Sequence, residues 1–485
     1  MQRDLKFIVI GAGMAGILSG IKLREAGFAN VAIYEKAAKI GGTWRENTYP
    51  GLTCDVPAHS YTYSFAPNPN WSRYLAPGPE IQQYFEQVTR KYGVDELIRF
   101  NEEIVRCEYI DGRWQIETKA GTKDGADVVI AATGVLHHPN YPQIEGIDSF
   151  AGAIFHSARW DHNVPLDGKR IGIIGTGSTG VQIISALSTR AGQLTHFQRT
   201  PQWIMPTENP AYTEEQKAAF RSDAALLSEV QLNAPLQALI DSFSQAITDP
   251  DSPEMQGIEA VVRANLENSI KDPVLREKLR PHYRAACKRL IYSADFYQAI
   301  QRPNVSVVTD GIERIEARGV RTRDGQLHEF DVLVLATGFK ADQFMRPMNV
   351  IGRNGVQLND VWQKRPSAYM AISIPDFPNL FMLNGPNGPV GNFSLIEIAE
   401  QQWHYIAQLF ELLRNNTYRE ISAHHEALAT FDRDRIAAAK TTIFGSGCNS
   451  WYLDAEGVPA TWPWTRARFA QEMQAPKLDA FELVN

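Results

Sequence analysis

In the string Gly11-Ala12-Gly13-Met14-Ala15-Gly16, glycines stand where a chain can fold tightly around an anion. The first glycine permits the turn, the second lets the backbone approach a pyrophosphate, and the third lets a helix pack closely on the preceding strand. The helix N-terminus then attracts negative charge. Further on stands Glu35, followed by Lys36; a carboxylate there accepts hydrogen bonds from ribose hydroxyls and suits an adenosine without a 2′-phosphate. The same spacing returns in Gly175-Thr176-Gly177-Ser178-Thr179-Gly180, but counting on to the place of Glu35 reaches Arg199, followed by Thr200. A forked, always-charged guanidinium holds a 2′-phosphate in paired hydrogen bonds, where a carboxylate would repel it. The first string therefore reads as an FAD site and the second as an NADP site.

Strands and helices must position both strings. An apolar run from Lys6 to Ile10 precedes the first, a helical pattern runs from it to Gly27, and Val31 to Tyr34 forms the strand that delivers Glu35. Arg170 to Ile174 is the matching strand of the second string. Two further apolar strands end in Ala-Thr-Gly, at Thr133-Gly134 and Thr337-Gly338, and predict domain crossings at about 133–152 and 337–344. From Glu208 to Arg280 the apolar spacing is helical, which predicts an insertion. The expected fold class is α/β, with two Rossmann-like dinucleotide-binding domains and a helical insertion. Residues 1–140 and 341–485 would form the FAD domain, the latter with a substrate-side C-terminal segment. Residues 141–207 and 281–340 would form the NADP domain, and 208–280 the insertion.

Composition narrows the class. A chain of 485 residues needs more than one core, and 44% hydrophobic with 21% charged residues is an ordinary globular balance. A net charge of −7 offers no basic stripe, so nucleic acid is not an expected partner. No secretion signal and no long apolar span are read, which predicts a cytoplasmic protein without integral membrane association. Cys54, Cys107, Cys287 and Cys448 lie far apart in sequence, so we expect reduced thiols and no metal site.

Between the glycine strings stands Phe150-Ala-Gly152-Ala-Ile-Phe-His156-Ser-Ala-Arg-Trp160-Asp161. This resembles the fingerprint of Baeyer–Villiger monooxygenases, FxGxxxHxxxW followed by Pro or Asp. Amine- and sulfur-oxidising flavin monooxygenases carry a similar string, usually with Tyr or Phe in place of the tryptophan. The resemblance covers nearly the whole chain. Gly41-Gly42-Thr43-Trp44, Asn47, Tyr49-Pro50-Gly51 and Cys54-Asp55-Val56 are similar to the family segment that covers the flavin, with Tyr61 beyond it. Lys288-Arg289 is similar to the segment that supplies the active-site arginine. Pro386-Asn387-Gly388-Pro389 and Asn392 precede an amphipathic pattern from Leu395 to Leu413, which in the family aims its N-terminus at the flavin. Cys448-Asn-Ser-Trp451-Tyr452 and Trp462-Pro463-Trp464 read equally as a substrate-side loop or as core.

The resemblance implies a flavoprotein that takes hydride from NADPH and adds dioxygen to reduced FAD. The resulting C4a-peroxide would insert one oxygen atom next to a ketone carbonyl through a tetrahedral adduct, giving an ester or lactone. Arg289 and Asp55 are the expected catalytic pair, with Lys288 a second contact for the NADP phosphate. His156 resembles an interdomain organiser rather than a proton carrier. The expected partners are a small ketone and O2, on a monomer or weak homo-oligomer. Competing readings are a heteroatom-oxygenating flavin monooxygenase and a non-catalytic flavin-binding sensor; a disulfide reductase would need a redox-active cysteine pair beside the flavin.

Overall fold

The computed structural model describes residues 2–390 and 393–485. Phe7–Ile10 is buried along its whole length and lies at the centre of a parallel sheet. Across that sheet the order is Ile98–Phe100, Val31–Glu35, Phe7–Ile10, Val128–Ala131, Leu380–Met382. A second parallel sheet runs Val305–Val308, Gln193–Phe197, Arg170–Ile174, Val332–Leu335, Ala153–His156. The plan is the same in both: the strand before the glycine turn is central, the strand that carries the ribose-side residue lies on one side, and the Ala-Thr-Gly strand lies on the other.

Central strands can be apolar throughout because both faces are covered. In the first half, one face packs on the helices Met14–Glu25 and Leu395–Arg414. The opposite face packs on an antiparallel layer that includes Ile104–Ile110 and Arg113–Thr118. The second half repeats this with the helix Ser178–Leu187 on one face and the ribbon Ile312–Glu316 with Gly319–Thr322 on the other. The strands of these antiparallel layers are only partly buried, as in Arg113–Thr118, and they are not anticipated in the sequence analysis.

Between the strands of the second half, the chain forms the helices Glu214–Ser222, Ala224–Leu232, Ala234–Thr248, Pro253–Ser269 and Pro273–Lys278. Each begins on a residue whose side chain caps free backbone N–H groups: Thr213, Asp223, Asn233, Ser252 and Asp272. Among the described residues, no helix is long and apolar enough to cross a membrane, and no cluster of His, Cys, Asp or Glu could hold a metal ion.

The cysteine expectation is half corrected. Cys54 and Cys107 are buried free thiols, but Cys287 and Cys448 are joined in a disulfide across a sequence separation of 161. Spacing along the chain carries no information about a pairing that the fold brings together.

Candidate active site

The first glycine turn is built to approach something closely. Gly11 has φ 102°, and a Cβ there would lie 2.7 Å from the Ala132 carbonyl oxygen. At Gly16 a Cβ would meet the Gly11 carbonyl oxygen at 1.8 Å. Met14, Ala15 and Gly16 open the helix, whose N-cap Gly13 offers no side-chain cap. Its first N–H groups therefore have no side-chain acceptor, the condition for binding an anion. Gly42 packs against Gly13 with only backbone between them, and the Gly41 N–H donates to the Ala12 carbonyl at 2.9 Å. Thr133, which precedes Gly134, lies beside Gly11. Glu35 is buried; its carboxylate accepts from the Ala12 N–H at 2.8 Å, the Ala37 N–H at 2.9 Å and Arg45 Nη1 at 3.0 Å. Arg45 is thus a partner that sequence reasoning missed. Lys36 points to solvent, while Trp44 Nε1 donates to the Tyr61 hydroxyl at 3.1 Å, which ties the covering segment together.

The second turn repeats the geometry. Gly175 has φ 127°, and a Cβ would stand 2.1 Å from the Ala336 carbonyl oxygen; at Gly180 it would meet the Gly175 oxygen at 2.5 Å. Gly177 has open space where a Cβ would be and leaves its helix without a side-chain cap. His196, which sequence reasoning missed, is buried and braces the Gly175 carbonyl through Nε2 at 3.0 Å. Burial pulls its pKa down to about 4, against the pull of that carbonyl, so it is neutral. Thr337 Oγ1 donates to the Asn140 carbonyl at 2.6 Å, and the Gly338 carbonyl accepts from His156 Nε2 at 3.0 Å. Nδ1 of His156 accepts from the Ala158 N–H, so this ring is satisfied on both sides.

Strand register corrects one count. Ile10 pairs with Tyr34 and Ile174 with Phe197, so the residue in the place of Glu35 is Gln198, and Arg199 stands one further on. The reason is a connection one residue shorter in the second half. Gln198 is buried, lines the same recess as Arg199 and donates to the Lys278 carbonyl at 2.7 Å. Arg199 is exposed and lines a recess of about 690 Å3 with Lys278, Arg280 and His282, none of which the sequence reading named as a site residue. Thr200 follows it, half-buried. Lys288 lies close enough to be affected by it: burial first, then the charge of Arg199, lowers the Lys288 ammonium from its ordinary value. An anion between the two cations would relieve that repulsion.

The halves meet where the covering segment crosses to the second. The Tyr49 hydroxyl donates to Gln182 Oε1 at 2.9 Å, and Gln182 Nε2 donates to the Thr53 carbonyl at 3.0 Å. Thr179 Oγ1 donates to the Tyr49 hydroxyl at 3.4 Å, and Gln202 Nε2 donates to Thr176 Oγ1 at 3.3 Å. This strap brings Asp55 to Arg289, whose Nη2 donates to Asp55 Oδ2 at 2.5 Å. Burial opposes the charge of Arg289, but Asp55 outweighs it and holds the guanidinium above its ordinary range. Burial pushes the Tyr452 hydroxyl up to about 12, with Arg289 lowering it and Asp55 raising it. Tyr292 is likewise pushed up to about 12 by burial, under the influence of both charges. Cys54 is buried beside the pair, and Val56 donates its N–H to the thiol sulfur at 3.4 Å.

Comparison with known proteins fits this geometry. The family described as pyridine nucleotide-disulphide oxidoreductase matches residues 8–217. A Baeyer–Villiger monooxygenase of Streptomyces coelicolor is 36% identical over 100% of this chain and 93% of its own. The chain belongs to the Baeyer–Villiger monooxygenase family. An uncharacterized monooxygenase of Mycobacterium tuberculosis is 46% identical over 95% of this chain and 92% of its own. The crystal structure of OTEMO in complex with FAD and NADP superposes with a TM-score of 0.89 at 25% identity, covering 100% of both chains. Asp55–Arg289 is one of the contacts, with Tyr49–Gln182 and Gln182–Thr53, that join the two halves.

Some expected residues stand elsewhere. The Asn387 side chain accepts from the Ala368 N–H and donates to the Ala460 carbonyl, which ties it to neighbouring segments of the chain. Asn392 lies outside the described residues. Thr43 opens the short helix Thr43–Glu46 and is exposed. The aromatic tail splits: Tyr452 is buried near Arg289, Trp451 is 44% exposed, and Trp462 packs in the core with Phe431 and Phe469.

Proposed function

We propose that this enzyme uses FAD and NADPH to convert a ketone into an ester or lactone, with ketone, O2, NADPH and a proton giving ester, NADP+ and water. FAD belongs to the first turn, with its pyrophosphate at the helix that begins at Met14 and its ribose at Glu35, under Gly42, Thr43 and Trp44. NADP belongs to the second, with Arg199 and Lys288 on the 2′-phosphate. When bound, these groups supply the hydride and the activation of O2. The uncapped glycine-led helices, and backbone contacts too tight for any Cβ, support that fit.

The observation that carries the reading is the Asp55–Arg289 contact across the halves. A guanidinium keeps its charge at every working pH, and Asp55 fixes its direction. Arg289 would hold negative charge as it grows on the carbonyl oxygen while the new carbon–oxygen bond forms. Preorganised charge in a site shielded from water is worth several kcal/mol of barrier. Asp55 holds the guanidinium in that direction before substrate arrives.

A ketone panel with product identification tests this. Arg289→Ala should lower ester formation by roughly 100-fold or more, a loss of the size seen when one oxyanion donor is removed. NADPH oxidation should survive. Ester formation at the full rate in this variant, or oxygenation of sulfides alone by the parent enzyme, would sink the proposal.

A further inference from the structure

The Arg289 segment is fastened at a second point that the proposed reaction does not use. Cys287 lies just before Lys288-Arg289 and is fully buried, and its disulfide runs to Cys448 in the segment that leads to Tyr452. One covalent bond therefore joins the chain that carries the active-site arginine to the chain that carries the hydroxyl beside it.

The two sulfurs differ in access. Cys448 lines a recess of about 410 Å3 together with Arg263, Tyr283, Arg284, Ser446 and Gly447, whereas Cys287 does not line it. Gly447 has open space where a Cβ would be. The Cys287 side is also the stiffer one. Ala286 is buried at φ 62°, a left-handed conformation that costs an alanine energy and persists only where its surroundings enforce it. The Trp203 indole N–H donates to the Tyr283 carbonyl at 2.7 Å, and the Tyr283 hydroxyl donates to Gln202 Oε1 at 2.8 Å. The segment from Tyr283 to Arg289 is thus held by hydrogen bonds at its start, by the disulfide in its middle and by Asp55 at its end.

We propose that the Cys287–Cys448 bond is a redox-active site, opened by a dithiol that reaches Cys448 through the recess, and that opening it releases Tyr452 from its place beside Arg289. One thiolate of the dithiol attacks Cys448 Sγ, and Cys287 leaves as a thiolate that takes up a proton. The second thiol of the reductant then attacks the mixed disulfide, closes the reductant's own disulfide and frees Cys448 as a thiol. Two electrons and two protons pass from dithiol to protein. Tyr452 is a positioning residue in this scheme, acting through Arg289. Cys448 is buried but borders an open recess, and a disulfide that a reductant can reach at one sulfur is nearer the labile class than the inert structural one.

The inference rests on the proposed oxygenation only for its activity readout; the thiol count stands alone. Unreduced, denatured holoenzyme should show Cys54 and Cys107 as its only thiols, and treatment with dithiothreitol before denaturation should add Cys287 and Cys448. The same treatment should lower ester formed per NADPH consumed by roughly fivefold, the scale of one lost hydrogen bond, with recovery on reoxidation. Tyr452→Phe should show the low ratio with its disulfide intact and gain no further loss on reduction. A Cys287→Ser/Cys448→Ser double variant, if it folds, should ignore dithiothreitol. Four thiols without reductant would overturn the proposal, as would an unchanged ester ratio once both cysteines have been freed. An enzyme that makes no ester in either state would instead sink the proposed function, with the thiol count still deciding whether the bond opens.

Discussion

Glu35 and Gln198 occupy the same register place in two sheets of one plan, and both are buried, yet they take different partners. Glu35 turns in, takes backbone N–H groups from Ala12 and Ala37 and is backed by Arg45. Gln198 instead donates to a carbonyl on the insertion, and with the next residue, Arg199, it lines a basic recess. On the proposed assignment, the difference is how a repeated scaffold would choose its ligand. The glycine turn that approaches a pyrophosphate is kept, while the ribose end is rebuilt by removing one acid and shifting one residue. Helix starts make the same contrast. The insertion helices are capped by side chains, whereas the two nucleotide helices are left open at Gly13 and Gly177. A helix that will meet an anion has no need of a cap of its own.

The largest effect should separate the turns. Gly175→Ala forces a left-handed alanine with its Cβ 2.1 Å from the Ala336 oxygen. NADPH-driven turnover should fall by roughly 100-fold or more, since such a clash costs several kcal/mol, while flavin content measured by absorbance stays whole. Gly11→Ala should do the reverse and yield colourless protein. Loss of flavin in both variants would erase the division between the halves.

Acid should strike through His196, whose counterpart in the first sheet is the non-titrating Ile33. Its folded pKa of about 4 lies below the ordinary 6.5, so the unfolded chain binds more protons between those values. Stability is therefore fully present above about pH 6.5 and is lost as pH falls towards 4, by about 3 kcal/mol from this group. His59 and His137 are lowered in the same direction by burial and add to the loss. Urea unfolding across this range should show a shallower slope in His196→Gln; an unchanged slope would remove the group from the account.

Arg199→Gln should raise the KM for NADPH by roughly tenfold to a hundredfold, the value of a charge-assisted hydrogen bond, and leave NADH nearly untouched. Equal losses with both nucleotides would mean that Arg199 does not read the 2′-phosphate. The smallest effect should come from Gln182→Ala, which cuts the strap to Tyr49 and Thr53. Ester formed per NADPH should drop by about fivefold or less, with both nucleotide affinities kept. A variant that instead loses flavin would place the strap in the first site rather than between the sites.

Local rules made much of this protein legible. The glycine strings, the apolar strands and the helix over Leu395–Arg414 answer to constraints met within a few residues: a positive φ, a close backbone approach, a period of burial. The strand–turn–helix order around the glycine strings, and the strand that ends in Glu35, are accordingly legible from residue order alone. What only the tertiary structure decided joins residues remote in sequence: Asp55 with Arg289, Gln182 with Thr53, and Cys287 with Cys448. The antiparallel layers and the one-residue shift that puts Gln198 opposite Glu35 belong there too. Such contacts depend on how whole sheets pack and register, and no spacing along one chain encodes that in a form that can be counted.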